Sequence, residues 1–415
     1  MSSTLKIALR NLTRFGRRTL LTATLITLGV VSVLLFIAVA GSFKAMMIAQ
    51  FTDSVLGHAQ LHRRGYVASI DTLPLNMNLG PGMAKKIVGE LNAMPEIEAY
   101  SERVKFGAMF SNFTETTSIR VNGIDPVREA ATTPALASRI GEGNPDFAAL
   151  PQGEILIPVL LARGMKVKVG DTIVLVATNR EGSVNGRTLK VRGIIQSVSG
   201  PSGRDGYIHM EDARALLRMT EPEVSEIAIR LRNPADLDRF RDTLATTFSG
   251  MTNKDGQRVV EVHTWADLSP FASIARMIDV LTLFIKIMLV SIVLVSVMNV
   301  MVMAVYERIR EIGTIAAIGT PPRRILALFL TEGLLLAFGG TLAGVVIASA
   351  AVQALKLWPV TFDFGMQRGL QLAPHLAAGE VAVVAGLVFL MALFASLQPA
   401  WKASRMDPVK ALGHV

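Results

Sequence analysis

Tyr306-Glu307-Arg308-Ile309-Arg310-Glu311-Ile312-Gly313-Thr314-Ile315-Ala316-Ala317-Ile318-Gly319 sets a charged turn ahead of a small-residue helix, between two membrane-length apolar runs. A charge such as Arg costs roughly 2.5 to 3.5 kcal/mol at the centre of a bilayer, and here two Glu and two Arg fall within five residues. The stretch must therefore lie in water or against a partner. Its position between two spans makes it a docking element on one membrane face.

Working outward, the apolar runs are four. Thr19 to Ser42, Ile287 to Tyr306, Gly333 to Leu355 and Val381 to Trp401 carry no charge over 24, 20, 23 and 21 residues. Each exceeds the roughly 18 residues needed to span hydrocarbon. They explain why a chain of 415 residues is 51% hydrophobic with a mean hydropathy of +0.43, too apolar for a soluble domain of this size. The first run, with its basic start and Ala38-Val39-Ala40, imitates a cleaved secretory signal. Signal cores extend over only about 7 to 15 residues, so the retained-anchor reading is preferred, and N-terminal sequencing separates the two.

Basic residues cluster beside one end of each span. Lys6, Arg10, Arg14, Arg17 and Arg18 precede the first, Arg308, Arg310, Arg323 and Arg324 separate the second and third, and Lys402, Arg405 and Lys410 follow the fourth. The positive-inside rule puts all three segments, and both termini, in the cytoplasm. The net charge of +9 is then a topology and headgroup signal, with no reason to invoke nucleic acid. Within residues 1–18, Leu5, Leu9, Leu12 and Phe15 form one stripe beside a basic face, the pattern of an interfacial helix leading into the first span.

The expected organisation is a cytoplasmic amphipathic helix (1–18), a first span (19–42), an extracytoplasmic α+β domain with helical stalks (43–269), and a stalk with the second span (270–306). A cytoplasmic coupling segment (307–324), a third span (325–355), a short outer loop (356–380), a fourth span (381–401) and a cytoplasmic tail (402–415) complete it. The central domain is too long for a loop. Strand-like runs occur at 154–157, 172–176, 189–195 and 225–231, and helical periodicity at 83–91, 211–218 and 236–247, which predicts an α+β domain. Gly200 to Gly206 reads as a loop by composition. Ser269-Pro270 offers a cap and first-turn proline for a helix running to Tyr306, about 55 Å at 1.5 Å per residue, with Lys286 at the outer interface.

Inside the spans, Gly340 and Gly344 make a GxxxG packing face, and Asn299 is the one strongly polar side chain well within a span, suited to an interhelical hydrogen bond. Glu332, at the edge of the third span, calls for an ion-pair partner, with Arg308 and Arg310 nearest.

Much chemistry is absent. There is no cysteine, hence no disulfide or thiolate site. No Gly-x4-Gly-Lys-Ser/Thr occurs; Gly164 to Gly170, the nearest imitation, is followed by Asp171. His58 and His62 are spaced i,i+4 but lack a third metal ligand. Asn112-Phe113-Thr114 is a glycosylation sequon by pattern alone. No repeat relates two halves, which argues against an inverted-repeat transporter.

Three groups of residues resemble a known family, the FtsX-like permease subunits of ABC transporters, the MacB and LolC/LolE group. Glu307-Arg308-x-Arg310-Glu311-Ile312-Gly313-x3-Ala317-x-Gly319 resembles the family's coupling segment, and Phe329-x2-Glu332-Gly333 the start of its third span. Pro399-Ala400-x-Lys402-Ala403-x-Arg405-x-Asp407-Pro408-x3-Leu412 resembles its C-terminal signature. Gly153 to Ile157, Leu161-Ala162 and Val169 to Thr172 are similar to the MacB-like periplasmic core domain, and Val121 to Pro126 looks closest to LolC/LolE. The resemblance implies a permease in the bacterial inner membrane, multi-pass and with its large domain in the periplasm. It implies a dimer with a second copy or a paralogue, each bound by a separate ATPase subunit that holds ATP and Mg, so that this chain has no cofactor or catalytic residue. The implied cargo is a lipoprotein or similar amphiphile. Alternatives are an FtsX-like regulator of a cell-wall hydrolase, a MacB-like exporter of peptides or antibiotics, and an antibiotic-sensing module, whose usual members have about ten spans.

Overall fold

The computed structural model describes residues 3–14, 16–196, 205–253, 256–358, 361–364 and 367–407. Phe15, Pro408, Lys410, Leu412 and the 200–204 part of the expected loop lie outside them. In chain order the elements begin with α1 (Ser3–Arg14), α2 (Gly16–Phe51), β1 (Ala59–Arg63), α3 (Pro81–Asn92), β2 (Ile97–Ser111), β3 (Thr116–Ile124) and α4 (Pro126–Thr132). There follow β4 (Ile140–Gly143), β5 (Glu154–Pro158), α5 (Val159–Gly164), β6 (Thr172–Thr178), β7 (Val184–Ile195), β8 (Asp205–His209), α6 (Met210–Leu216) and β9 (Glu226–Leu231). The rest are α7 (Leu237–Thr247), β10 (Val260–Thr264), α8 (Trp265–Leu268), α9 (Ala272–Glu307), α10 (Ile309–Ala317), α11 (Pro322–Leu357), β11 (Thr361–Phe364), β12 (Gln367–Gln371) and α12 (Ala378–Ser404).

Two compact units result. One comprises Met1–Ala45, Ala275–Thr361 and Gln371–Val415; the other comprises Met46–Ile274 with Phe362–Leu370. The first contains four helices long and apolar enough to cross a membrane, α2, α9, α11 and α12. α11 is the hub of this unit. A Cβ on Gly340 or Gly344 would come within 2.8 and 2.7 Å of Ile26 and Val30 of α2, and one on Gly333 within 2.9 Å of Ser396 of α12. Missing side chains let these backbones meet, the device that replaces hydrophobic driving force in lipid. Ile26, Val30, Leu289, Val293, Leu336, Val388 and Ala392 fill the interior between them.

The second unit carries a mixed sheet in the order β10-β1-β9-β2-β3-β8-β5-β7-β4, with β6 pairing both β2 and β7. β3–β8 and β5–β7 are parallel; the other ladders are antiparallel. β6 alternates, with Ile173, Leu175 and Ala177 buried, as one covered face requires. Central β5 buries Ile155, Leu156 and Ile157 together because it has a neighbour on each edge and cover on each face. Each such side chain is worth about 1.5 to 3 kcal/mol on burial.

α2 continues past Ser42 to Phe51, as the helical stalk expected there requires. Several boundaries depart from expectation. α9 starts at Ala272 because a Thr264–Asp267 capping box first nucleates the short α8, which Ser269-Pro270 terminates. The expected outer loop 356–380 contains the β11–β12 hairpin. Asp205 and Gly206, assigned to a loop by composition, open β8: Asp205 Oδ1 accepts from Arg120 Nε at 2.8 Å, and Gly206 allows close approach to Ile119. His58 and His62 lie in and before β1, so helical i,i+4 geometry never arises, and among the described residues no group of three ligating side chains converges.

Candidate functional site

The chain breaks sharply at the end of α9. Arg308 adopts φ −114° and ψ 18°, and α10 sets off in a new direction from it. Arg308 is 7% exposed and spans three elements. Its Nε donates to Glu311 Oε2 at 3.0 Å, its Nη1 donates to Glu332 Oε1 at 3.0 Å, and its guanidinium lies 5.7 Å from the Phe329 ring centroid. Burial alone would lower the Arg308 pKa; Glu332 and Glu311 hold it above its ordinary value. α1 closes the arrangement from the other side. Asn11 Nδ2 donates to Glu332 Oε1 at 2.6 Å and Arg14 Nη1 to Glu311 Oε1 at 3.1 Å. Two carboxylates thus tie α1, α10 and α11 through one guanidinium, the fixed fork for which arginine is suited.

Beneath the charges, Val305, Ile312, Ile325, Phe329, Ala400 and Ala403 form a small apolar core, and Gly313 is buried with it. The opposite face of α10 is open. Ile318 is 78% exposed and Ile315 37%, with Arg310, Ala317 and Gly319 beside them and Glu307 exposed at the head of the turn. Gly319, at φ 91°, ends the helix in the left-handed region that glycine tolerates. Close by, Lys402 Nζ sits 5.5 Å from the Tyr306 ring and Arg405 stacks 4.6 Å from Trp401.

Glu307, Arg308, Arg310, Glu311, Gly313, Ala317, Gly319 and Glu332 thus converge on one corner, and they divide into an inward set (Arg308, Glu311, Gly313, Glu332) and an outward set (Glu307, Arg310, Ala317, Gly319). The partner of Glu332 is Arg308. Gly340 and Gly344 meet α2, as described. Asn299 is corrected: it is exposed on α9 and makes no interhelical hydrogen bond within the described chain. Sequence reasoning missed Asn11, Arg14 and Ile318. The signal for the first two was available, since both sit on the polar side of α1, but nothing local connects residue 11 to residue 332.

Four helices long and apolar enough to cross a membrane, with a large α/β domain between the first two and a charged, braced corner between the second and third, define a multi-span membrane protein. Family comparison makes this specific. The FtsX-like permease C-terminal model matches residues 283–408 and the MacB-like periplasmic core domain model matches residues 19–247, more than half of the chain. The chain belongs to the FtsX-like, MacB-type family of ABC transporter permeases. It is 24% identical to the lipoprotein-releasing system transmembrane protein LolC of Neisseria meningitidis, over 93% of this chain and 92% of that one. It is 28% identical to the pyoverdine export ATP-binding/permease protein PvdT of Pseudomonas syringae, over 95% of this chain and 57% of that one. Among solved structures, the periplasmic region of MacB from Actinobacillus actinomycetemcomitans aligns with 56% of this chain and 98% of that one, at 9% identity and a TM-score of 0.36.

Proposed function

We propose that this chain is the permease subunit of a mechanotransmitting ABC transporter. A separate ATPase subunit docks on the open face of α10, and ATP-driven movement of that corner is relayed along the two long helices α2 and α9 to the extracytoplasmic domain, which extracts or expels a lipoprotein or similar amphiphile. The chain works as a dimer with a second copy or a paralogue, with both termini and α10 in the cytoplasm and the large domain in the periplasm. The observation that carries this reading is Ile318, a large apolar side chain 78% exposed at the end of α10, a helix whose other face is held by buried Ile312 and Gly313 and by the pairing of Glu311 with Arg308 and Arg14. A rigid, amphipathic helix showing isoleucine and charge to water suits a groove in a partner. The basic residues around all three cytoplasmic segments support the orientation, and the four spans, with only Asn299 strongly polar well inside one, favour work on cargo outside the bilayer over passage through a polar channel.

The test is affinity purification of the tagged chain from its own membrane, with mass spectrometry of what accompanies it. Ile318→Glu is the informative variant, because Ile318 has little to lose inside the chain, whereas Glu311→Lys also breaks the contacts with Arg308 and Arg14. Recovery of an ATPase and acylated proteins with the wild type, and loss of the ATPase with Ile318→Glu, is expected. Undiminished ATPase recovery with Ile318→Glu would remove the proposed docking face. Recovery of a cell-wall hydrolase without lipoproteins would replace extraction by a regulatory role.

A further inference from the structure

The end of α2 departs from α-helical geometry. Thr52–Leu56 close as one π-helical turn, stopped by Gly57 at φ 71°. A Cβ at Gly57 would lie 2.8 Å from the Ile229 carbonyl oxygen, so only glycine lets the chain pass so close to β9. Single π turns are rare and are frequent at functional sites.

Three arginines from three parts of the sheet unit converge on this turn. Arg139, 5% exposed, donates from Nε to Ser54 Oγ at 2.8 Å and from Nη2 to the Gln50 carbonyl at 3.2 Å. Arg103 of β2 donates from Nη1 to the Val55 carbonyl at 2.7 Å while Nε and Nη2 grip Glu129 at 2.9 and 2.6 Å and Nη1 also meets Glu226 at 2.9 Å. Arg230 of β9 donates to Asp53 Oδ1 at 2.6 Å and Glu98 Oε2 at 3.1 Å. The Ala135 N–H adds a bond to the Asp53 carbonyl at 2.8 Å. The approach to α9 meets the same place: Trp265 N–H donates to the His58 carbonyl at 3.1 Å, Leu231 N–H donates to His58 Nδ1 at 2.9 Å, and the Phe51 and Phe271 rings stack at 4.5 Å.

Holding a junction together does not require this chemistry. Buried charge costs several kcal/mol, and apolar side chains of equal volume commonly hold as well or better. A guanidinium fixes direction as well as distance, and its donors suit the final carbonyls of a helix, which lack intrahelical partners and carry negative partial charge. Direction is what a joint under load has to keep.

We propose that Arg103, Arg139 and Arg230 are positioning residues of a stiff joint that makes residues 50–58 move with the β-sheet, so that displacement arriving along α2 is passed on and not absorbed by bending at the π turn. The proposal rests on the relay reading above. The chain has no cysteine, so spin labels placed through Leu28→Cys and Phe113→Cys, at positions 62% and 68% exposed, report those two sites alone. Pulsed spin-resonance distances are measured on the full chain in nanodiscs, with and without its copurifying ATPase and ATP plus vanadate. A narrow wild-type distribution that shifts with nucleotide is expected. Arg139→Met at least doubles its width and cuts the nucleotide-driven shift at least fivefold. Ser54→Ala, which removes one hydrogen bond, broadens it to an intermediate width and serves if Arg139→Met does not fold. Unchanged widths in the variants would overturn the joint. Widths that differ as expected, with no nucleotide shift in the wild type, would overturn the relay reading and leave the joint a static anchor without the function proposed for it.

Discussion

Glu332→Gln removes one charge from the corner where α1, α10 and α11 meet, with almost no change of shape. Glu332 and Arg308 side chains are 4% and 8% exposed, so water replaces little of what is lost. Breaking a buried pair costs about 3 to 5 kcal/mol when the remaining charge has no other partner. Arg308 keeps Glu311 Oε2 at 3.0 Å, which compensates it in part, while the new amide must turn an N–H toward either Arg308 or Asn11, both of which donate. The two effects place the cost at about 2 to 3 kcal/mol. Replacing both partners, Arg308→Met with Glu332→Leu, removes the orphaned charge, and the pair of changes then costs about 1 kcal/mol or less. The assay is reversible unfolding of the chain from mild detergent into dodecyl sulfate, followed by tryptophan fluorescence, to which Trp401, stacked on Arg405, contributes. Because the Arg308 pKa is raised, its stabilisation is fully present below the ordinary arginine value and is lost only above the raised one, so the cost stays constant between about pH 6 and 9. A Glu332→Gln chain within about 0.5 kcal/mol of wild type, or a double variant less stable than the single one, would refute the reasoning.

Three further outcomes follow. Ile318→Glu weakens capture of the ATPase by about 10- to 100-fold, the equivalent of about 1.5 to 3 kcal/mol of lost isoleucine burial, with the fold of the chain unchanged by circular dichroism. Gly344→Val drives a side chain into Val30, 2.7 Å from where its Cβ would stand, and lowers stability in the same detergent titration by about 2 kcal/mol or more, whereas Gly379→Ala, with open space around it, is neutral. In the sheet unit, burial alone would raise the Glu226 pKa, but Lys105, with His62 and Arg103 beside it, holds it well below the ordinary carboxylate value. Its stabilisation is therefore present above that value and lost as pH falls through the lower folded one, so Glu226→Gln weakens the protein at neutral pH and flattens the loss of stability in acid.

The membrane half was legible because lipid imposes one simple demand, an uninterrupted apolar run, and the corner at 307–319 was legible because charge there violates that demand. β5, β6, β7 and β9 showed themselves by apolar clustering and alternation, and α3, α6 and α7 by period. β2 did not. Its fifteen residues include Glu98, Glu102, Arg103 and Lys105, which interrupt the apolar alternation that marks a strand. Arg103 is in fact fully enclosed, paired with Glu129 and with Glu226, 26 and 123 residues away. Buried charge is invisible to a hydropathy pattern until the partner is known. The same limit hid Arg139, which lies in a short helical turn with nothing nearby to suggest that it grips Ser54, and it misplaced Asp205, whose partner is Arg120. Asn299 failed in the opposite sense: it is polar within a span, but its position on an exposed face is set by how α9 rolls against its neighbours, which no local pattern encodes.

The notches at Gly340 and Gly344 bear on the timing of assembly. Thr27 Oγ1 donates to the Gly340 carbonyl at 3.1 Å across 313 residues of chain. At about 5 to 20 residues per second, the ribosome delivers α11 roughly 15 to 60 s after α2 has entered the bilayer. By the end of that interval β1 to β10 and α9 have been translated, while Ile26 and Val30 still lack their α11 neighbours. The close contacts of Gly340 and Gly344 with α2 are therefore among the last to form, and in a nascent chain stalled before residue 340 α2 has α9 beside it, with Leu289 against Gly29, but not α11, the state that membrane quality-control proteases would meet first.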